Sequence, residues 1–151
     1  MAYRQVEDIL KTIEGFHEEL AKEINRYSDC SSDSRLELLS DYEKHQRNAI
    51  CAAVEQDEEQ YPEVDVREAW IQFVPDDEVK RALEKLQLKN DEPIAALFTH
   101  VLETDQALVE MYDAIIAQTN SAHVKEFFES LRKASVSFAE QRSWGMRQPS
   151  N

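Results

Sequence analysis

Apolar residues recur at Val6, Ile9, Leu10, Ile13, Phe16, Leu20, Ile24 and Tyr27, three or four positions apart, which predicts an amphipathic helix over about 3–27. The run Ser28-Asp29-Cys30-Ser31-Ser32-Asp33-Ser34 ends it with turn-forming and helix-capping residues. A second helix is predicted over 35–60, with Leu38, Leu39, Tyr42, Ala49, Ala52 and Ala53 as its inward stripe and Tyr61-Pro62 as its stop. A third, over 92–118, opens at Asp91-Glu92-Pro93, where acids and a first-turn proline both favour a helix start. Its stripe is Ile94, Leu97, Phe98, Val101, Leu108, Tyr112, Ile115 and Ile116. After Thr119-Asn120-Ser121, a fourth helix is predicted over 121–144 on Val124, Phe127, Phe128, Leu131, Ala134, Phe138 and Ala139.

The connections between these segments carry the topology. Short links join the first helix to the second and the third to the fourth, so each pair forms an antiparallel hairpin. Residues 61–91 between the hairpins are far more than a helix-to-helix turn needs. They include an apolar cluster, Trp70, Ile71, Phe73 and Val74, expected to pack over the bundle's flank. A helix-start signal at Pro75-Asp76-Asp77-Glu78 then predicts a short helix to about Leu88. The expected architecture is all-α: one domain over 1–151, a four-helix bundle whose two hairpins are joined by a long crossover, as in ferritin-like topology.

Composition narrows the class further. Two glycines and four prolines in 151 residues are too few for the turns of a β-protein. A formal net charge of −14 argues against nucleic acid or an anionic membrane surface as partner, since phosphate binding needs clustered Lys and Arg. The first residues carry acids where a signal peptide needs an apolar run, and no stretch is long enough to span a bilayer, so a cytoplasmic location is expected. Cys30 and Cys51 are far apart and read as free thiols.

Each helix stripe is broken at mid-length by residues able to do chemistry. These are His17 in the first helix, Tyr42 with His45 in the second, Asp105 in the third, and Ser135 one turn before Phe138 in the fourth. Measured from the turns, all lie at similar depth. The stretches Asp105-Gln106-Ala107-Leu108-Val109-Glu110-Met111-Tyr112 and Leu131-Arg132-Lys133-Ala134-Ser135-Val136-Ser137-Phe138 resemble the rubrerythrin-like branch of the ferritin-like superfamily. That resemblance implies a ligand pattern of one Glu followed by a Glu-x-x-His pair in each hairpin. On this chain the pattern falls on His17 with Tyr42-x-x-His45, and on Asp105 with Ser135-x-x-Phe138. Of these six positions only His45 keeps the family residue, Asp105 is a shortened substitute for Glu, and Phe138 cannot ligate.

A di-iron centre needs several carboxylates to neutralise two buried cations, so no redox enzyme of that kind is expected. Two readings follow. One is a non-catalytic bundle without a cofactor, serving as a structural or interaction module and assembling as a homodimer. The other is a metal protein holding a single iron, manganese or zinc ion on His17, His45 and Asp105, a two-His, one-carboxylate set. Without metal, the same residues would form a small hydrogen-bonded network. His100-x-x-Glu103 and His123-x-x-Glu126 read as surface pairs. The acidic runs Asp57-Glu58-Glu59 and Asp76-Asp77-Glu78 lack the glycine-containing loop of a dedicated calcium site.

Overall fold

The computed structural model of the chain describes residues 3–28, 34–71 and 94–147. It is mostly helical, with four long helices among the described residues: α1 (Val6–Ser28), α2 (Ser34–Gln60), α3 (Ile94–Gln118) and α4 (Ala122–Arg147). The helix bounds follow the apolar periodicity closely, with two instructive differences. α1 begins at Val6 because Arg4–Gln5 form a short strand, β1, instead of a helical turn. α4 continues to Arg147 through Gly145, because a single glycine weakens a helix by about 1 kcal/mol without breaking it. The predicted helix after Pro75, together with Cys30, Phe73 and Val74, lies outside the described residues.

Each hairpin is antiparallel and each is marked by cross-helix contacts. Ser40 Oγ of α2 donates to Asn25 Oδ1 of α1 at 3.3 Å. In the second hairpin Arg132 of α4 pairs with Asp113 of α3, and the Tyr112 and Phe128 rings lie 6.2 Å apart. α2 and α4 also pack against each other, and the end of α2 meets the start of α4: Asp57 reaches His123. The two therefore run in opposite directions. The core shared by the four helices is largely apolar, with Ile13, Leu20, Ile24, Leu36, Leu97, Leu108, Ile115 and Phe128 fully buried.

The register of α2 differs from the expected one. Its buried positions are Leu36, Leu39, Glu43, Gln46, Ile50 and Asp57, with Ala53 partly buried, a strict alternation of three and four. Leu38 and Ala52, assigned to the inward stripe by their apolar character, are exposed. The physical reason is that an a/d seam is set by spacing, and here three of its seven positions are polar. Counting apolar residues alone shifts the stripe sideways around the helix.

The start of the connecting segment is tied down. Strand β2 (Trp70–Ile71) pairs antiparallel with β1, Arg4 opposite Ile71 and Gln5 opposite Trp70. The Val6 amide, one of the helix's first unpaired donors, gives its hydrogen to the Ala69 carbonyl at 2.9 Å. A 3-10 turn, Val66–Glu68, precedes the strand and is capped by Asp65, whose Oδ1 accepts from the Arg67 amide at 2.9 Å. The Arg67 guanidinium bonds the same carboxylate and holds the Asp65 pKa below its ordinary value. Ile71 is buried in the core, as expected of the apolar cluster, whereas Trp70 faces solvent. No helix of the described residues is long and apolar enough to cross a membrane.

The α2 register gives a direct test. Leu39→Ala is expected to cost about 3 kcal/mol of unfolding free energy, and its neighbour Leu38→Ala under about 1 kcal/mol. Urea denaturation of the two variants reads the difference, and equal losses would contradict the register.

Candidate functional site

The apolar stripes of the four helices are interrupted at mid-length, and the interruptions of α1, α2 and α4 meet. α1 contributes His17, α2 Glu43 and Gln46, α3 Thr104 and Asp105, and α4 Ser135, all buried. Nδ1 of His17 lies 2.7 Å from Oε2 of Glu43, with both side chains removed from solvent. With Glu43 ionised, the ring N–H is the donor in a charge-assisted bond. Each group alone would be costly in this interior. Together they satisfy one another, which is why they stand opposite across the α1–α2 seam.

A small cavity adjoins this pair. It is lined by His17, Gln46, Ala49, Ile50, Tyr112, Leu131, Ala134 and Ser135, and so sits where α1, α2, α3 and α4 converge. Nε2 of Gln46 and Oγ of Ser135 are buried without a hydrogen-bond partner in the protein. Such atoms cost roughly 1–3 kcal/mol each when left unsatisfied. Tyr112 sits against the same space, and burial pushes its phenol pKa well above the ordinary range. The antiparallel register that sets Tyr112 beside Phe128 brings Asp105 to about the level of Ser135 on the facing helix.

Of the expected site residues, the structure buries some and leaves His45 at the surface. His17, Asp105 and Ser135 are buried at mid-bundle. His45 is exposed on α2 and does not join them, so the two-His, one-carboxylate set is not brought together. The side chains of Tyr42 and Phe138 lie outside the described residues. Glu43 and Gln46 stand where Tyr42 and His45 were expected to point inward. The signal that finds them is the three-four spacing from Leu36 and Leu39 through Ile50 to Asp57. Among the described residues no three His, Cys, Asp or Glu side chains form a group able to hold a metal ion.

Of the two pairs read as surface residues, His123 and Glu126 lie in a second polar cluster at the end of the bundle, whereas Glu103 is exposed and the His100 side chain lies outside the described residues. His123 turns away from its expected partner, and its Nε2 lies 2.7 and 2.9 Å from the two carboxylate oxygens of Asp57. Asp57 is buried although it belongs to an acidic run. The Tyr61 ring covers His123 at 4.1 Å between centroids, and its hydroxyl donates to Glu126 Oε2 at 2.9 Å. That hydrogen bond holds the proton on Tyr61 and raises its pKa, with desolvation and the charges of Glu126 and Asp57 acting the same way. The arrangement fastens the end of α2 to the start of α4. Cys51 is an exposed free thiol. Compared with protein-family models, curated proteins and solved structures, the chain has no match.

Breaking the central pair from one side should cost far more than replacing it whole. Glu43→Leu alone is expected to lose about 3–5 kcal/mol, and the double replacement His17→Leu with Glu43→Leu to restore most or all of that loss. Denaturation midpoints of the two single variants and the double variant measure this, and additive losses would show that the two groups do not act as a pair.

The two perturbed tyrosines give a pH prediction. Both folded-state pKa values are raised, so their contribution to stability is fully present below the ordinary phenol value and is lost as pH rises through the folded values. Tyrosinate absorbance of the folded chain should show a late alkaline phase that disappears in urea. Tyr112→Phe should remove its latest part, and an unchanged late phase in that variant would refute the assignment.

Proposed function

We propose that the chain is a ferritin-like bundle of the rubrerythrin-like kind that has lost its di-metal centre and acts, without catalysis, as a cytoplasmic structural or interaction module. Two features support the topology. α2 and α3 both run antiparallel to α4, as the Asp57–His123 and Tyr112–Phe128 contacts require. A chain leaving the end of α2 must then travel the length of the bundle to begin α3, which is the long crossover of up-down-down-up bundles. The corrected register adds a second support. Glu43-x-x-Gln46 has the spacing of the family's Glu-x-x-His pair, with an amide where the imidazole would be.

The observation that carries the non-catalytic reading is the His17–Glu43 contact itself. The His17 imidazole and the Glu43 carboxylate are engaged with each other at 2.7 Å, and the neighbouring Gln46 and Ser135 bring no charge to a metal. A homodimer is supported by Tyr3 and Trp70. Both are more than half exposed, and the β1–β2 register sets them diagonally on one face of the ladder. The second reading, a single iron, manganese or zinc ion with a redox or storage role, has one observation in its favour. A buried imidazole oriented by a carboxylate is how many metal-ligating histidines are held. It would have to use His17 and Asp105 without His45.

Elemental analysis of protein purified without chelators or a His tag separates the two. The module reading expects substoichiometric metal, a melting temperature unmoved by added iron(II) or zinc, and sedimentation as a dimer that Trp70→Ser converts to monomer. Stoichiometric metal that is lost on His17→Ala would overturn it.

A further inference from the structure

The cavity at the bundle centre has features that no apolar packing defect would have. Its walls combine polar atoms from different helices: the Gln46 amide from α2, the Ser135 hydroxyl from α4, the Tyr112 ring from α3 and His17 from α1. Two of these atoms, Gln46 Nε2 and Ser135 Oγ, are buried and have no hydrogen-bond partner in the protein. Both residues are more than nine-tenths buried, so bulk solvent does not serve them. The space open to the centre of a water-sized sphere is about 10 Å³, the volume that one water needs.

We infer that this cavity is a binding site for a single ordered water, which joins the two hairpins by bridging Gln46 on α2 to Ser135 on α4. The inference rests on the non-metal reading of the centre and names what occupies it. Size excludes larger ligands. Charge disfavours an anion, because the Glu43 carboxylate lies just across the His17 ring. Water also meets the chemistry of both partners: it accepts from an amide N–H and either accepts from or donates to a hydroxyl. It serves the amide in either orientation, since it donates as readily as it accepts. Ala49 and Ala134, small and half-buried, form the outer edge of the cavity between α2 and α4, so the water can exchange without the bundle opening.

The consequence is a division of labour at the centre. The His17–Glu43 pair holds α1 to α2 by direct contact, whereas α2 is held to α4 at the same level through a third molecule. Where the family keeps metal to bind its helices together, this chain would use water.

The test is a crystal structure of the metal-free wild-type chain, with anomalous data, together with solution NMR. The expected result is a fully occupied peak about 2.7–3.2 Å from both Gln46 Nε2 and Ser135 Oγ, and a water cross-peak to the Gln46 side-chain amide that is lost in Ser135→Val. A dry cavity, a direct Gln46–Ser135 hydrogen bond, or a cross-peak that persists in Ser135→Val would each overturn the water site while leaving the module reading intact. An anomalous peak at metal-ligand distance, about 2.0–2.2 Å, would overturn both.

Discussion

An imidazole and a carboxylate cannot be carried into a helix interface one at a time, and the middle of this bundle is built around that condition. Apolar stripes specify which faces meet but do little to specify their alignment, since leucine packs on isoleucine nearly as well one turn further along. The His17–Glu43 bond admits a single alignment of α1 on α2. A slip of one helical turn, about 5.4 Å, would leave each group buried against hydrocarbon. A pair that adds little net stability can still fix the register of the helices that carry it.

α2 is the element through which this constraint spreads. Its inner seam faces α1 through Glu43, the bundle centre through Gln46, and α4 through Asp57. Among the described residues it has the fewest buried apolar side chains of the four helices, yet it touches both its hairpin partner and the neighbouring hairpin. The two hairpins are thus matched by a polar contact at the end of α2, where Asp57 meets His123, while α1, α3 and α4 supply the bulk of the hydrocarbon.

This division explains what could be read in the chain and what could not. α1 and α4 were legible to within a turn because their apolar periodicity is strong and all four prolines fall outside the helices. His17 and Asp105 were found because each interrupts an otherwise unbroken apolar stripe. α2 resisted the same reading because Glu43, Gln46 and Asp57 occupy inward positions while Leu38 and Ala52 face out. Residue type there points one way and spacing the other, and packing follows spacing. The engagement of His123 with Asp57 was hidden for a different reason. The two belong to separate hairpins, and no local pattern reports which surface histidine a distant acid will meet.

The short ladder between β1 and β2 gives the first hairpin a property that its helices alone would lack. By joining residues on either side of α1 and α2, it turns that half of the chain into a closed ring whose seam is the Arg4–Ile71 and Gln5–Trp70 pairing. The first amide of α1 is held by Ala69 at that seam. Fraying of the helix and departure of the connecting segment are therefore one event, not two. Opening from the amino-terminal end must break the ladder and the first helical turn together. That makes the ring a cooperative unit of local unfolding, with its amides protected or released as a set.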